Sequence, residues 1–370
     1  MLGYLFLVVL FLALFSVSFF FAAREWLRPA DDAPLPVDIE YVRQENYFGL
    51  CFRARWKEWL ASRSVPETHA ALLPLHAMAG LPNGQLPPVL EKEFVGEEEQ
   101  CQEIVYSETD LRLASRAVCR KEVYCRGNFR SESGAQLHAV AADGAADLGA
   151  GSFVSGWVDA QASIRLQQAT TVHGRVTSLE SIELAREVTV QYLFAPLIFT
   201  SGYRGVPDSF DGSKAAKPSS HPLGQDTADT LPPPYLRGLH CARLAADTWL
   251  VRGPLNLPAG TEVCGKLVVQ GALTTESDCC FASDVKASEV RLGPRNKVLG
   301  NLVSAGGLQM AEAGVVRKNV VADGDIVLRA GARVGDLRRL VVICAGGEVR
   351  MEQDVAVHGK VVAGRAIFSL

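Results

Sequence analysis

The chain has 370 residues, with 37 Lys and Arg against 41 Asp and Glu, and its net charge of −4 supplies no overall basic field for a nucleic-acid partner. Its 33 glycines follow no three-residue period, which excludes a collagen-like rod. The length suits two domains or one elongated one.

Residues 1–23, MLGYLFLVVLFLALFSVSFFFAA, carry no charged side chain. About 20 apolar residues are what a helix needs to cross a bilayer. A transmembrane anchor is expected there, with Leu5, Leu10, Phe15 and Phe20 along it. No basic residue precedes the apolar core, and Phe21 stands where a cleavage site before Ala23 would want a small residue, so the segment reads as uncleaved. Arg24, Arg28 and Arg43 follow it, which places a single-pass protein in the cytoplasmic membrane with its C-terminal bulk in the cytoplasm. Nine cysteines, an odd number without a C-x-x-C pair, suit reduced cytoplasmic thiols.

After the spacer PADDAPLP (29–36), the stretch YVRQENYFGLCFRARWKEWLASR sets Phe48, Phe52, Trp56, Trp59 and Leu60 at helical spacing. Such a helix can lie on an anionic leaflet through Phe52, Arg53, Arg55, Trp56 and Lys57. It can equally pack its aromatic stripe on the rest of the protein, and Gly49 together with the small basic cluster favours packing. Residues 24–118 as a whole read as a juxtamembrane linker and a helical or irregular collar.

Beyond this the chain repeats. Leu255, Leu273, Val290, Leu308 and Ile326 lie 18, 17, 18 and 18 residues apart, and Val263, Phe281, Val298, Val316 and Val334 keep the same intervals. Upstream, Phe129, Ala146, Ile164 and Ile182 are separated by 17, 18 and 18, matched by Leu137, Val154, Val172 and Val190. Units this short cannot bury their apolar faces alone, but stacked copies can. The expected fold is an all-β solenoid, a parallel β-helix of 17–18-residue coils, in two arrays at 119–199 and 247–370. Ten or eleven coils are expected. Between the arrays lies a flexible insertion, 200–246, rich in Pro, Gly, Ser and Asp. Near the end the phase slips: Val349 and Met351 follow Ile326 and Leu328 by 23, so LRRLVVIC holds about five extra residues, and Val349 leads to Ala366. Glycines such as Gly271, Gly324 and Gly335 are expected at sharp corners.

The repeats GALTTESDCCFASDVKA, SEVRLGPRNKVLGNLVSAG and GDIVLRAGARVGDL resemble those of bactofilins, the polymer-forming bacterial cytoskeletal proteins. The resemblance covers about 120–199 and 247–370. It implies a right-handed β-helix that joins end to end without nucleotide, often at the membrane, and it implies no catalytic residue or cofactor. With the collar over the first coil, the last coil becomes the expected self-association surface, through Ile367, Phe368 and Leu370. Two other functions fit the pattern. A left-handed hexapeptide-type acyltransferase would also have 18-residue coils and would need His173 or His358 as a general base. A monomeric membrane-tethered adaptor would instead offer the long insertion to an envelope-building protein.

Overall fold

The computed structural model describes residues 45–63, 89–204 and 233–370. The expected anchor, with Leu5, Leu10, Phe15 and Phe20, lies outside them, as does most of the expected insertion. No helix among the described residues is long and apolar enough to cross a membrane.

The described residues from Val89 onward wind into a β-solenoid of about 14 parallel turns, built of strands on three faces. At about 4.8 Å per turn the stack is about 65 Å long. The turns outnumber the expected ten or eleven because coils begin at Val89. The strands Val89–Glu91, Phe94–Val95, Gln100–Cys101 and Ile104–Ser107 occupy what read as collar. They keep the same period, with Val95 and Leu113, Cys101 and Cys119, and Val105 and Val123 each 18 residues apart and in register.

The three faces, here A, B and C, stack their inward residues in columns. On face A, Val105, Val123, Val140, Val158 and Val176 are register partners in sequence, all fully buried. Face B stacks Phe129, Ala146, Ile164, Ile182 and Ile198, and face C stacks Leu137, Val154, Val172 and Val190. The apolar columns read from the sequence are thus the core. Alternation puts the intervening residues outside. Truncating one fully buried member such as Ile182 removes roughly 2–5 kcal/mol, because its neighbours above and below cannot both collapse into the gap.

The corner between faces B and C takes a left-handed residue in nearly every turn. Glu98, Arg116, Gly134, Gly151, Ala169 and Glu187 all have φ between +56° and +74°, as do Gly260, Asp278, Arg295 and Gly331, with Ala313 at +53°. The column was hidden because most of its members are not glycine. Gly335, expected at a corner, does have φ +79°. Gly271 and Gly324 serve by close approach instead, since a Cβ on Gly271 would lie 2.5 Å from the Gly253 carbonyl carbon.

The two arrays meet tail to tail. Strand Thr189–Thr200, the last coil of the first array, pairs antiparallel with strand Ala356–Ser369, the last coil of the second. Thr189 faces Phe368, Val190 faces Ile367, and Leu193 faces Val361. The Glu187 N–H donates to the Ser369 carbonyl at 2.8 Å, and the Ser369 N–H donates to the Val188 carbonyl at 3.1 Å. The second array therefore starts at the far end and winds back to the seam. At that far end Leu236 is fully buried, and Cys241–Ala245 forms an antiparallel hairpin with Thr248–Val251, so ordered structure begins before 247.

The seam corrects the expectation that Ile367, Phe368 and Leu370 end the stack uncovered. Ile367 is 1% exposed and Phe368 half-buried under the first array, and only Leu370 stays exposed. The phase also needs a one-residue correction. Val349 stacks on Ile367, not Ala366, and Ile326 stacks on Val349 across the inserted residues.

Candidate functional site

The first array carries a built interface on the outside of face A. Its outward column runs Tyr106, Tyr124, Ala141, Asp159 and Thr177, and all five are buried although they point away from the core. What covers them is α1 (Tyr47–Arg63). Trp56 stacks 4.6 Å from the Tyr106 ring and edge-on to Tyr124 at 5.6 Å, while Phe52 meets Tyr124 and Trp157, each at 5.8 Å. Such aromatic pairs add about 0.5–1.5 kcal/mol each beyond the area they bury.

Arg53 fixes the register of the helix on the sheet. Its Nη1 donates to Asp159 Oδ1, its Nε to Asp143 Oδ1 at 2.7 Å, and its Nη2 to the Ala142 carbonyl at 2.7 Å. The Thr177 hydroxyl donates to the other Asp159 oxygen, and the Tyr124 hydroxyl donates to Asp143 Oδ2 at 2.8 Å. Both oxygens of each carboxylate are thus engaged, which the buried Asp159 requires, while Asp143 stays partly exposed. Burial pulls the Arg53 guanidinium down, but the charge of Asp159 and the bonds to Asp159 and Asp143 outweigh it, so its pKa is raised. Burial also pushes the Tyr106 phenol up to about 12, helped by its bond to Glu108.

Gly49 is needed here. A Cβ on it would sit 2.2 Å from Asp159 Cγ and Oδ1 and 2.7 Å from Asp159 Cβ, so only glycine lets the helix backbone approach. The residue that weakens the helix by sequence is the one that seats it.

This placement corrects the membrane-surface role for the helix. Phe52, Arg53 and Trp56 face the solenoid, and only Arg55 and Lys57 are exposed. Sequence reasoning found the helix but missed its partners. A usable signal was present in Tyr106 and Tyr124, one coil apart at outward positions where solvent-facing strands favour polar residues.

The residues considered for chemistry are scattered. The His358 ring bonds to the Pro196 carbonyl at 3.1 Å in the seam, whereas His173 is exposed on the surface, edge-on to Phe153 at 4.9 Å. Cys101 and Cys119 stack in register in the core, and burial pushes both thiols up, Cys119 to about 12. No cluster of His, Cys, Asp and Glu fit for a metal ion occurs among the described residues.

A shallow groove lies on face A of the second array, lined by Lys266, Val268, Asp284, Lys286, Val303 and Val321 among others. Its corner is a ladder: Asn301 donates to Asp284 at 2.9 Å, and Asn319 donates to Asn301 at 3.2 Å. No family model, curated protein or solved structure matches the chain, so the likeness to bactofilins rests on the repeat pattern quoted above.

Proposed function

We propose that the protein is a non-catalytic scaffold, bactofilin-like and right-handed, held at the cytoplasmic membrane by residues 1–23 and able to join copies end to end. The observation that supports this most is the seam. One solenoid end already continues into another within the chain by backbone pairing of edge strands, the operation that a polymer would repeat between chains.

The ends left for such joining are the first coils of the two arrays. In the coil at Val89–Cys101, Leu90 stands in the face A core column yet is only half-buried, unlike Val105 above it, which is fully buried. The far coil is closed by Leu236 and its hairpin, so the Val89–Cys101 coil is the contact we favour. A self-association through Ile367, Phe368 and Leu370 is no longer part of the reading.

The test is electron microscopy of the full chain in lipid nanodiscs or mild detergent, with and without Leu90→Lys. End-joined rods that the substitution reduces to single rods of about 65 Å support the reading. Single rods from the native chain at every concentration overturn the polymer.

A further inference from the structure

The five extra residues that break the repeat near the C-terminus form an exposed loop, which carries two of the exposed leucines among the described residues. Leu337 is 65% exposed and Leu340 52%, and Val342, which follows, is 38% exposed. Between the two leucines stand Arg338 and Arg339, both exposed. Large aliphatic side chains held in water beside cations are costly unless something covers them.

The loop is held as a platform. The Gly335 N–H donates to the Val316 carbonyl at 2.8 Å, the Arg338 N–H donates to Asp336 Oδ1 at 2.8 Å, and the Val342 N–H donates to Asn319 Oδ1 at 2.9 Å. The backbone is therefore tied to the adjacent coil while the side chains of Leu337 and Leu340 point away from the core.

Its position on the rod bears on what covers it. Val342 is the register partner of Lys360. The Lys360 ammonium lies 5.0 Å from the Tyr192 ring, Arg175 lies 4.6 Å from the same ring, and Arg175 also lies 5.4 Å from the Phe48 ring. A continuous row of contacts on face A thus runs from the loop, across the seam, to the start of α1. Along the chain Phe48 follows the end of the apolar segment 1–23 by 25 residues, so this row and the expected anchor belong to the same N-terminal stretch.

We propose that the Gly335–Val342 loop is a lipid-contact element, placing Leu337 and Leu340 among the acyl chains of an anionic leaflet and Arg338, Arg339 and Lys360 against its phosphates. Alternating apolar and basic side chains match the layered chemistry of that surface. The inference rests on the membrane anchoring proposed above. Its meaning would be orientation: an anchor fixes one point of a rod, and a second contact near the seam would fix its angle to the membrane.

The experiment places p-benzoylphenylalanine at Leu337, at Leu340 or, for comparison, at Leu244, which is 59% exposed at the far end of the array. Each full-length chain is reconstituted in vesicles of phosphatidylcholine and phosphatidylglycerol in equal parts, or of phosphatidylcholine alone, and irradiated. Lipid adducts at 337 and 340 but not 244, stronger with phosphatidylglycerol, are expected. Joint Arg338→Glu and Arg339→Glu should lower the yield about tenfold or more, while joint Arg338→Lys and Arg339→Lys should retain it. Crosslinks to another protein chain, equal labelling at 244, or no lipid adduct overturn the loop's role. Alkaline carbonate washing separates this from the anchoring. A chain that washes off the vesicles defeats the anchor, whereas a chain that stays with an unlabelled loop defeats only this inference.

Discussion

Arg53 of α1 and Asp159 of the solenoid form an ion pair whose side chains are only 7% and 3% exposed. Removing one partner leaves the other charged and buried, which typically costs 3–5 kcal/mol. Arg53→Ala is therefore expected to release α1 at a cost of about 3 kcal/mol, read by hydrogen exchange as a roughly hundredfold loss of amide protection across the helix. Arg53→Lys should fall between, since it keeps the charge but loses the fork that reaches Asp143, Asp159 and the Ala142 carbonyl together. Unchanged protection in Arg53→Ala would mean that the aromatic contacts alone hold the helix.

Gly49→Ala makes a more pointed test of the same interface. In an exposed helix the change would stabilise by about 1 kcal/mol. Here the new methyl meets Asp159, so the helix must lift or Asp159 must turn from Arg53, at a cost of roughly 1–3 kcal/mol. Tryptophan emission should shift to the red as Trp56, now 5% exposed, is wetted.

The left-handed corner column predicts stabilising changes. Ala169 and Ala313 hold φ of +57° and +53°, a conformation that costs a side chain roughly 1–2 kcal/mol. After the extra freedom glycine gives the unfolded chain, Ala169→Gly and Ala313→Gly should each gain about 0.5–1 kcal/mol, seen as a higher urea midpoint. Ala332→Gly, at a fully buried position without positive φ, should lower it.

Alkaline conditions should weaken the fold in a defined window. Burial raises the Cys119 and Cys125 thiols to about 12, from about 8.5 in an unfolded chain. A group whose pKa is raised by folding contributes fully below its unfolded pKa and loses that contribution as the pH climbs through its folded one. The melting temperature should thus be flat near pH 7–8 and fall as the pH rises from about 9 toward 12. Joint Cys119→Ala and Cys125→Ala should flatten that fall even while lowering stability near neutrality.

At the seam, Ile367→Asp sets a carboxylate in a position 1% exposed against Val190. A loss of several kcal/mol is expected, with exchange of the Thr189–Thr200 and Ala356–Ser369 amides rising together. Leu370→Glu, at a site 52% exposed, should do little. If Leu370→Glu were as damaging as Ile367→Asp, the pairing would be wrong.

The solenoid was legible because its core is one-dimensional: Val263, Phe281 and Val298 need only their neighbours one coil away, and that spacing is written in the chain. The seam was not, since pairing Val190 with Ile367 depends on contact between distant segments that leaves no period. The α1 interface was half legible. Phe52 and Trp56 announced a buried stripe, but the acceptors Asp143 and Asp159 sit in separate coils and look like ordinary surface acids. The coils starting at Val89 were legible too, since Val95 and Leu113, Cys101 and Cys119, and Val105 and Val123 are each 18 residues apart, but the acidic run GEEEQ among them reads as a solvated collar.

The tail-to-tail seam also sets a timetable for biosynthesis. When Thr200 is made, the first array can wind, yet the strand that covers its last coil is among the final residues of the 370. At roughly 5–20 residues per second, the 170 residues after Thr200 take on the order of 10–30 s to emerge. Throughout that interval Val190, Leu193 and Ile198 line an open sheet edge, while neighbouring ribosomes on the same message expose identical edges. Partner choice at this seam is thus a race between making the strand Ala356–Ser369 and meeting a sibling nascent chain, and the spacing of ribosomes on the message becomes part of how the fold is secured.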